Sequence, residues 1–172
     1  MNVSTLRGLV VGATLALGFA ALAPSSAQAQ GVRFGVEAAW ANDFDLGVGA
    51  FGKFGLTEIS EKAITGRVSF DYFFPGKVFG VSQKYWELNG DALLDIVNKK
   101  SSVKPYVGAG VVYSHYSVDI GCGTSCSGSS NDFGLNLLGG LNFGNSKMMP
   151  FVEAKYEIRS GGEFVLKAGL HF

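Results

Sequence analysis

GEFVLKAGLHF, residues Gly162 to Phe172, sorts its side chains into two rows. Successive residues of a strand face opposite ways, so Phe164, Leu166, Ala168, Leu170 and Phe172 share one side while Glu163, Val165, Lys167, Gly169 and His171 share the other. One row suits an apolar environment and the other accepts charge. Whatever sheet this strand joins therefore has an oily face and a polar face, and the fold turns on which of them points inward.

The same period of two runs through the preceding chain. VRFGVEAAWA, residues 32 to 41, sets Val32, Phe34, Val36, Ala38 and Trp40 against Arg33, Gly35, Glu37 and Ala39. After Asn42-Asp43, Leu46, Val48, Ala50, Phe54 and Leu56 alternate with Gly47, Gly49, Phe51, Lys53 and Gly55, which predicts a hairpin. The polar segment Thr57 to Lys62 is expected to break the pattern. A third strand carries Ile64, Val68, Phe70, Tyr72 and Phe74 against Thr65, Arg67, Ser69 and Asp71, and Pro75-Gly76 marks a turn. A fourth sets Trp86, Leu88, Ala92, Leu94 and Ile96 against Glu87, Asn89, Asp91 and Asp95; its spacing favours a strand over a short helix. PYVGAGVVYSHYSV predicts a fifth strand with Val107, Ala109, Val111 and Tyr113 on the apolar row. The Gly/Ser-rich stretch Asp119 to Asn131 reads as the longest loop. Phe133 to Phe143, Val152 to Ile158 and the closing strand make eight.

Ahead of these, Arg7, an apolar run from Gly8 to Ala23 and the small-x-small Ala27-Gln28-Ala29 predict a secretory signal peptide over residues 1–29, leaving residues 30–172 as one domain. The run is shorter than the ~20 apolar residues of a spanning helix. Without Arg7 the chain has 13 basic residues against 14 acidic ones. That balance offers no footprint for nucleic acid.

Eight strands, most of them near the ~9–11 residues that cross a bilayer at a tilt, predict an all-β, eight-stranded antiparallel up-and-down transmembrane barrel. An open sheet in hydrocarbon leaves edge groups unpaired at several kcal/mol each, so the sheet must close. Arg33, Glu37, Lys53, Arg67, Asp71, Glu87, Asp91, Asp95, Glu153, Lys155, Glu157, Glu163 and Lys167 all lie opposite the apolar rows and are expected to form a charge network filling the lumen. A barrel this narrow has room for little else. A lumen plugged in this way argues against the porin-like alternative, a narrow pore for small solutes. With both termini on one side of the membrane, Trp40, Tyr72, Phe74, Trp86, Phe133 and Phe164 collect at one level and Phe34, Phe54, Phe143 and Phe172 at another, as two membrane interfaces require. A soluble lipocalin-like barrel, with the faces exchanged, explains the alternation but not the two levels.

The terminal aromatic strand, PYVGAG at Pro105 to Gly110 and GLNLLGGLNFG at Gly134 to Gly144 resemble the small eight-stranded bacterial outer-membrane β-barrel family that includes opacity-like and adhesin-like surface proteins. The resemblance implies an outer-membrane location, surface-exposed loops that meet an extracellular ligand or host surface, lipopolysaccharide and membrane lipid as surroundings, a monomer, and no shared enzymatic chemistry or cofactor. It also implies that Phe164, Leu166, Leu170 and Phe172 act as a signal to the barrel-assembly machinery; Lys167 stands where such signals often carry glycine.

Two motifs remain. His115-Tyr116-Ser117 is similar to the His-x-Ser pair of a lipid A deacylase family, in which the serine attacks an ester and the histidine takes its proton. That family continues with Asn and a later Glu, whereas Val118 follows here and Asp119 is the nearest acid, so a polar strand end is the expected reading. Cys122 and Cys126, a pair in an exported loop, are expected to form a disulfide. Metal binding would need more ligands than His115 supplies.

Overall fold

The computed structural model describes residues 31–59, 62–75, 82–96, 101–119, 127–144 and 147–172. The expected signal peptide and both cysteines lie outside these residues. Eight strands follow in order: β1 Arg33–Ala41, β2 Asp45–Ile59, β3 Lys62–Phe73, β4 Ser82–Asp95, β5 Val103–Asp119, β6 Ser127–Phe143, β7 Met149–Ile158 and β8 Glu163–His171. Each pairs antiparallel with the next, and β1 pairs with β8, so the sheet closes into a barrel. Closure leaves no edge along the barrel wall, which is the condition for a sheet in hydrocarbon.

The direction of the faces is settled by burial. Outward stand Phe34, Val36, Leu46, Val48, Leu135, Leu137, Val152 and Leu166, all exposed, while Glu37, Arg67, Asp71, Glu87, Glu153 and Lys167 are buried within. A water-soluble barrel would have these sets exchanged. The outer wall instead has the composition of a lipid-facing surface, and a one-residue slip of any strand would bring its charges out.

Three strands run further than the sequence suggests. β2 continues through Ile59, paired with Lys62, after a register shift between Gly55 and Thr57. The shift inserts a residue where the apolar alternation stops, so the pattern vanishes although the pairing persists. β5 and β6 each span 17 residues and stay in register out to Asp119 opposite Ser127. Of the expected loop Asp119 to Asn131, Asp119 and Ser127 to Asn131 are therefore paired strand, and residues 120–126 lie outside the described residues. Serines and glycines carry no apolar alternation, and pairing beyond the membrane needs none.

Two inward glycines make the lumen's packing feasible. A Cβ on Gly49 would stand 2.1 Å from an Asp71 carboxylate oxygen, and one on Gly110 would stand 2.3 Å from that of Asp91. Glycine here is a matter of space rather than of backbone conformation.

Candidate functional site

The lumen is organised around cations that each bridge two carboxylates. Arg67 donates to Asp91 (2.8 Å) and to Glu153 (2.7 Å). Lys167 donates to Glu37 (2.7 Å) and Asp71 (2.6 Å). Lys155 lies 3.2 Å from Glu87 and 2.5 Å from Glu157. Arg159 reaches Glu157 (2.9 Å) and Glu163. Neutral donors add to these pairs: Tyr106 bonds Glu153 (2.8 Å), Asn89 bonds Asp71 (3.1 Å), and Asn136 bonds Asn89 (2.9 Å) and Asp91 (3.0 Å). Buried charges persist only when paired, and each charge here has an opposite partner, the set drawing on β1, β3, β4, β7 and β8 at once.

Aromatic groups close the lumen at both ends. On the side of the β1–β2 turn, Phe44 stacks on Tyr85 with ring centroids 3.7 Å apart and lies 5.7 Å from Tyr116, above Phe73 and Val165. Tyr85 in turn accepts from Arg159 (2.6 Å) and donates to Glu87. At the opposite end Phe51 and Phe151 meet edge to face at 5.5 Å beside His171, whose Nε2 lies 3.2 Å from Asn142. Lys53 sits over the rings of Phe51, Tyr106 and Phe151 at 5.2–5.5 Å.

Of the lumen charges expected from sequence, Arg33 lies exposed at the mouth where β1 begins, opposite Lys53. Asp95 is half-buried at the same end, and the others are buried. Arg159 was missed because it follows the last residue of β7; it shares the parity of Glu157 and folds back over the lumen. Asn89 and Asn136 face inward as the alternation places them, and Tyr85 and Tyr106 share that parity.

Glu87, Glu157 and Glu163 bring carboxylate oxygens within 4.8 Å of one another, a set with the chemistry to hold a cation. Lys155, Arg159 and Tyr85 already serve them, so the cluster reads as a closed ion-pair group. His115 and Ser117 share the outward row of β5, half-buried. The imidazole stacks on Trp86 (5.3 Å between centroids) and its Nδ1 meets the Asn131 amide oxygen at 2.6 Å. An amide stands where a catalytic histidine carries an orienting carboxylate. Ser117 lies opposite Lys84 on one side and Ser129 on the other. Phe164, Leu166, Leu170 and Phe172 all face outward.

The rim on the Phe44 side is uneven. β4 and β5 remain paired out to Ser82 opposite Asp119, and β5 and β6 out to Asp119 opposite Ser127, whereas β6 meets β7 only from Leu135 opposite Ile158. A three-stranded arm thus stands beyond the low wall formed by β7, β8 and β1. The outward aromatics Trp40, Phe74, Tyr113, Phe133, Tyr156 and Phe164 mark the level from which it rises, and Phe34, Phe54 and Phe172 mark the far level.

No family model matches the chain, and no curated protein matches it. Solved structures do. The chain is similar to Neisserial surface protein A (20% identity over 81% of this chain and 94% of that one, TM-score 0.59). It is similar also to the N-terminal β-barrel domain of Pseudomonas aeruginosa OprF (17%, 81% and 96%, TM-score 0.62). A third likeness is to Ail, the attachment invasion locus protein of Yersinia pestis (14%, 82% and 96%, TM-score 0.58). Ail has also been solved with the heparin analogue sucrose octasulfate. The shared feature is the fold, that of the small eight-stranded outer-membrane β-barrels.

Proposed function

We propose that this barrel sits in the bacterial outer membrane as a monomeric, non-enzymatic protein whose role, structural or in surface interaction, is carried by the parts that project outside the cell. The observation that carries the reading is the pairing of an apolar outer wall with a lumen filled by bridged charges and stoppered by rings at both ends. Among the described residues such an interior is filled by side chains, which favours neither a pore nor a substrate site in the lumen. What remains available to partners is the rim and its arm. Surface-protein and attachment names among proteins of the same fold support that reading.

Export through residues 1–29, a Cys122–Cys126 bridge outside the cell, insertion by the barrel-assembly machinery and contact with lipopolysaccharide belong to the same proposal. The hydrolase alternative rests on His115 and Ser117, and the amide partner of His115 weakens it. Expression in a Gram-negative host, followed by fractionation and lipid A mass spectrometry, tests both points. The protein is expected in the outer membrane, with heat-modifiable migration and an unchanged lipid A spectrum. Loss of one acyl chain that depends on Ser117 would replace the reading with the hydrolase, and recovery from the soluble periplasm would end it.

A further inference from the structure

The arm of β4, β5 and β6 ends in an open sheet edge, and its backbone parity can be read. Gly144, one residue past β6, donates its N–H to the carbonyl of Ser102 (2.7 Å), next to the pair Val103–Phe143. The β5–β6 register then runs unbroken to Ser127, so the even-numbered residues of β6 exchange hydrogen bonds with β5 and the odd-numbered ones face away. Phe133 agrees: its N–H is taken by its neighbour Asp132's side chain (2.9 Å) and not by β5. Below Leu135 the odd residues meet β7, but above it β7 has ended at Ile158. Among the described residues, the backbone groups of Ser127, Ser129 and Asn131 are thus left along an edge with no strand beside it.

Among the described residues this edge lacks the usual protection. Proteins blunt open edges with lysine, proline, bulges or a covering loop. From Ser127 to Asn131 the sequence is Ser-Gly-Ser-Ser-Asn; residues 128 to 131 are exposed, and a Cβ on Gly128 would meet nothing within 4 Å. The Asn131 side chain is drawn across to His115 on β5, leaving its backbone clear. Phe133 lies exposed at the foot of the edge, an apolar anchor beside the last free pair.

We propose that the Ser127–Phe133 edge of β6 is a docking site for an extended polypeptide segment of another protein, which adds to the arm as a further strand. Main-chain hydrogen bonds supply the attraction, and the small side chains impose little sequence preference. The proposal rests on the arm standing outside the cell and names the partner class for that surface.

The test uses the full mature chain in lipid nanodiscs and a fluorescein-labelled peptide of alternating Thr and Val, seven residues long. Amide exchange followed by NMR is expected to show Ser129 and Asn131 exchanging fast without peptide and at least tenfold more slowly with it, while Gly128 and Ser130 stay protected throughout. Ser129→Pro removes an edge donor but no bond to β5, so the barrel spectrum persists and peptide affinity falls at least tenfold. Ser130→Pro instead breaks the β5–β6 ladder, and a peptide N-methylated at every amide does not bind. Absence of peptide-dependent protection, or binding unaffected by Ser129→Pro, overturns the proposal. So does a peptide-free dimer with Ser129 and Asn131 already protected, which would make the partner a second copy. Protease cleavage of the arm in intact cells separately reports whether it is outside; failure there sinks the surface reading and leaves the edge measurement standing.

Discussion

Arg67 on β3 and Glu153 on β7 are joined across the lumen by two hydrogen bonds, Nη1 to Oε2 at 2.7 Å and Nη2 to Oε1 at 2.9 Å. They are 86 residues apart in sequence and on opposite walls. The fork geometry of the guanidinium suits a carboxylate held this way, and the same group also serves Asp91.

Arg67→Ala is expected to destabilise the barrel by about 3–5 kcal/mol, because it strands two buried carboxylates. Replacing Arg67, Asp91 and Glu153 together by apolar residues of similar volume should cost much less, since desolvation offsets most of a buried pair's attraction. Urea unfolding in lipid vesicles measures both. An unchanged midpoint for Arg67→Ala would mean that water reaches the site.

Lys53 offers the contrast. It lies over the Phe51, Tyr106 and Phe151 rings. Lys53→Met keeps the stem and gives up the cation–π attraction, so a loss of no more than about 2 kcal/mol is expected in the same unfolding assay. A loss as large as that of Arg67→Ala would show that the ammonium anchors carboxylates as well.

Gly110→Ala is expected to cost about 1–3 kcal/mol as an overpacking change, since its methyl group meets the Asp91 carboxylate and carbonyl of Gly90. Gly128→Ala, with open space around it, should leave stability unchanged. The pair of midpoints checks whether inward glycines are spatial requirements.

Ala168 faces outward between Ala38 and Val152 on the neighbouring strands. Ala168→Arg there is expected to cost about 2–4 kcal/mol if the position is near the bilayer midplane, against about 0–1 for Ile158→Arg near the rim. Equal costs at the two depths would contradict the membrane placement.

The strands of this barrel were legible because the apolar and charged rows keep a period of two wherever lipid lies on one side and the lumen on the other. Arg67 and Lys167 could be placed inward from that alone. The pattern falls silent at Ser127 to Asn131, a paired strand with no apolar row, and nothing in its composition distinguishes it from a loop. Partner choice was also hidden. That Arg67 would bridge Asp91 and Glu153 depends on strand register, and that Arg159 and Phe44 would fold over the lumen depends on turns whose shape no alternation records.

The central claim is that the apolar face meets lipid and the charged face does not. Single cysteines along β8, in a background with Cys122 and Cys126 changed to serine, can be labelled with bimane and quenched by nitroxide-bearing lipids in vesicles. Strong quenching at Leu166, Ala168 and Leu170, with little at Val165 and Gly169, is the predicted result; quenching at the second set and not the first, or at neither, would contradict the account.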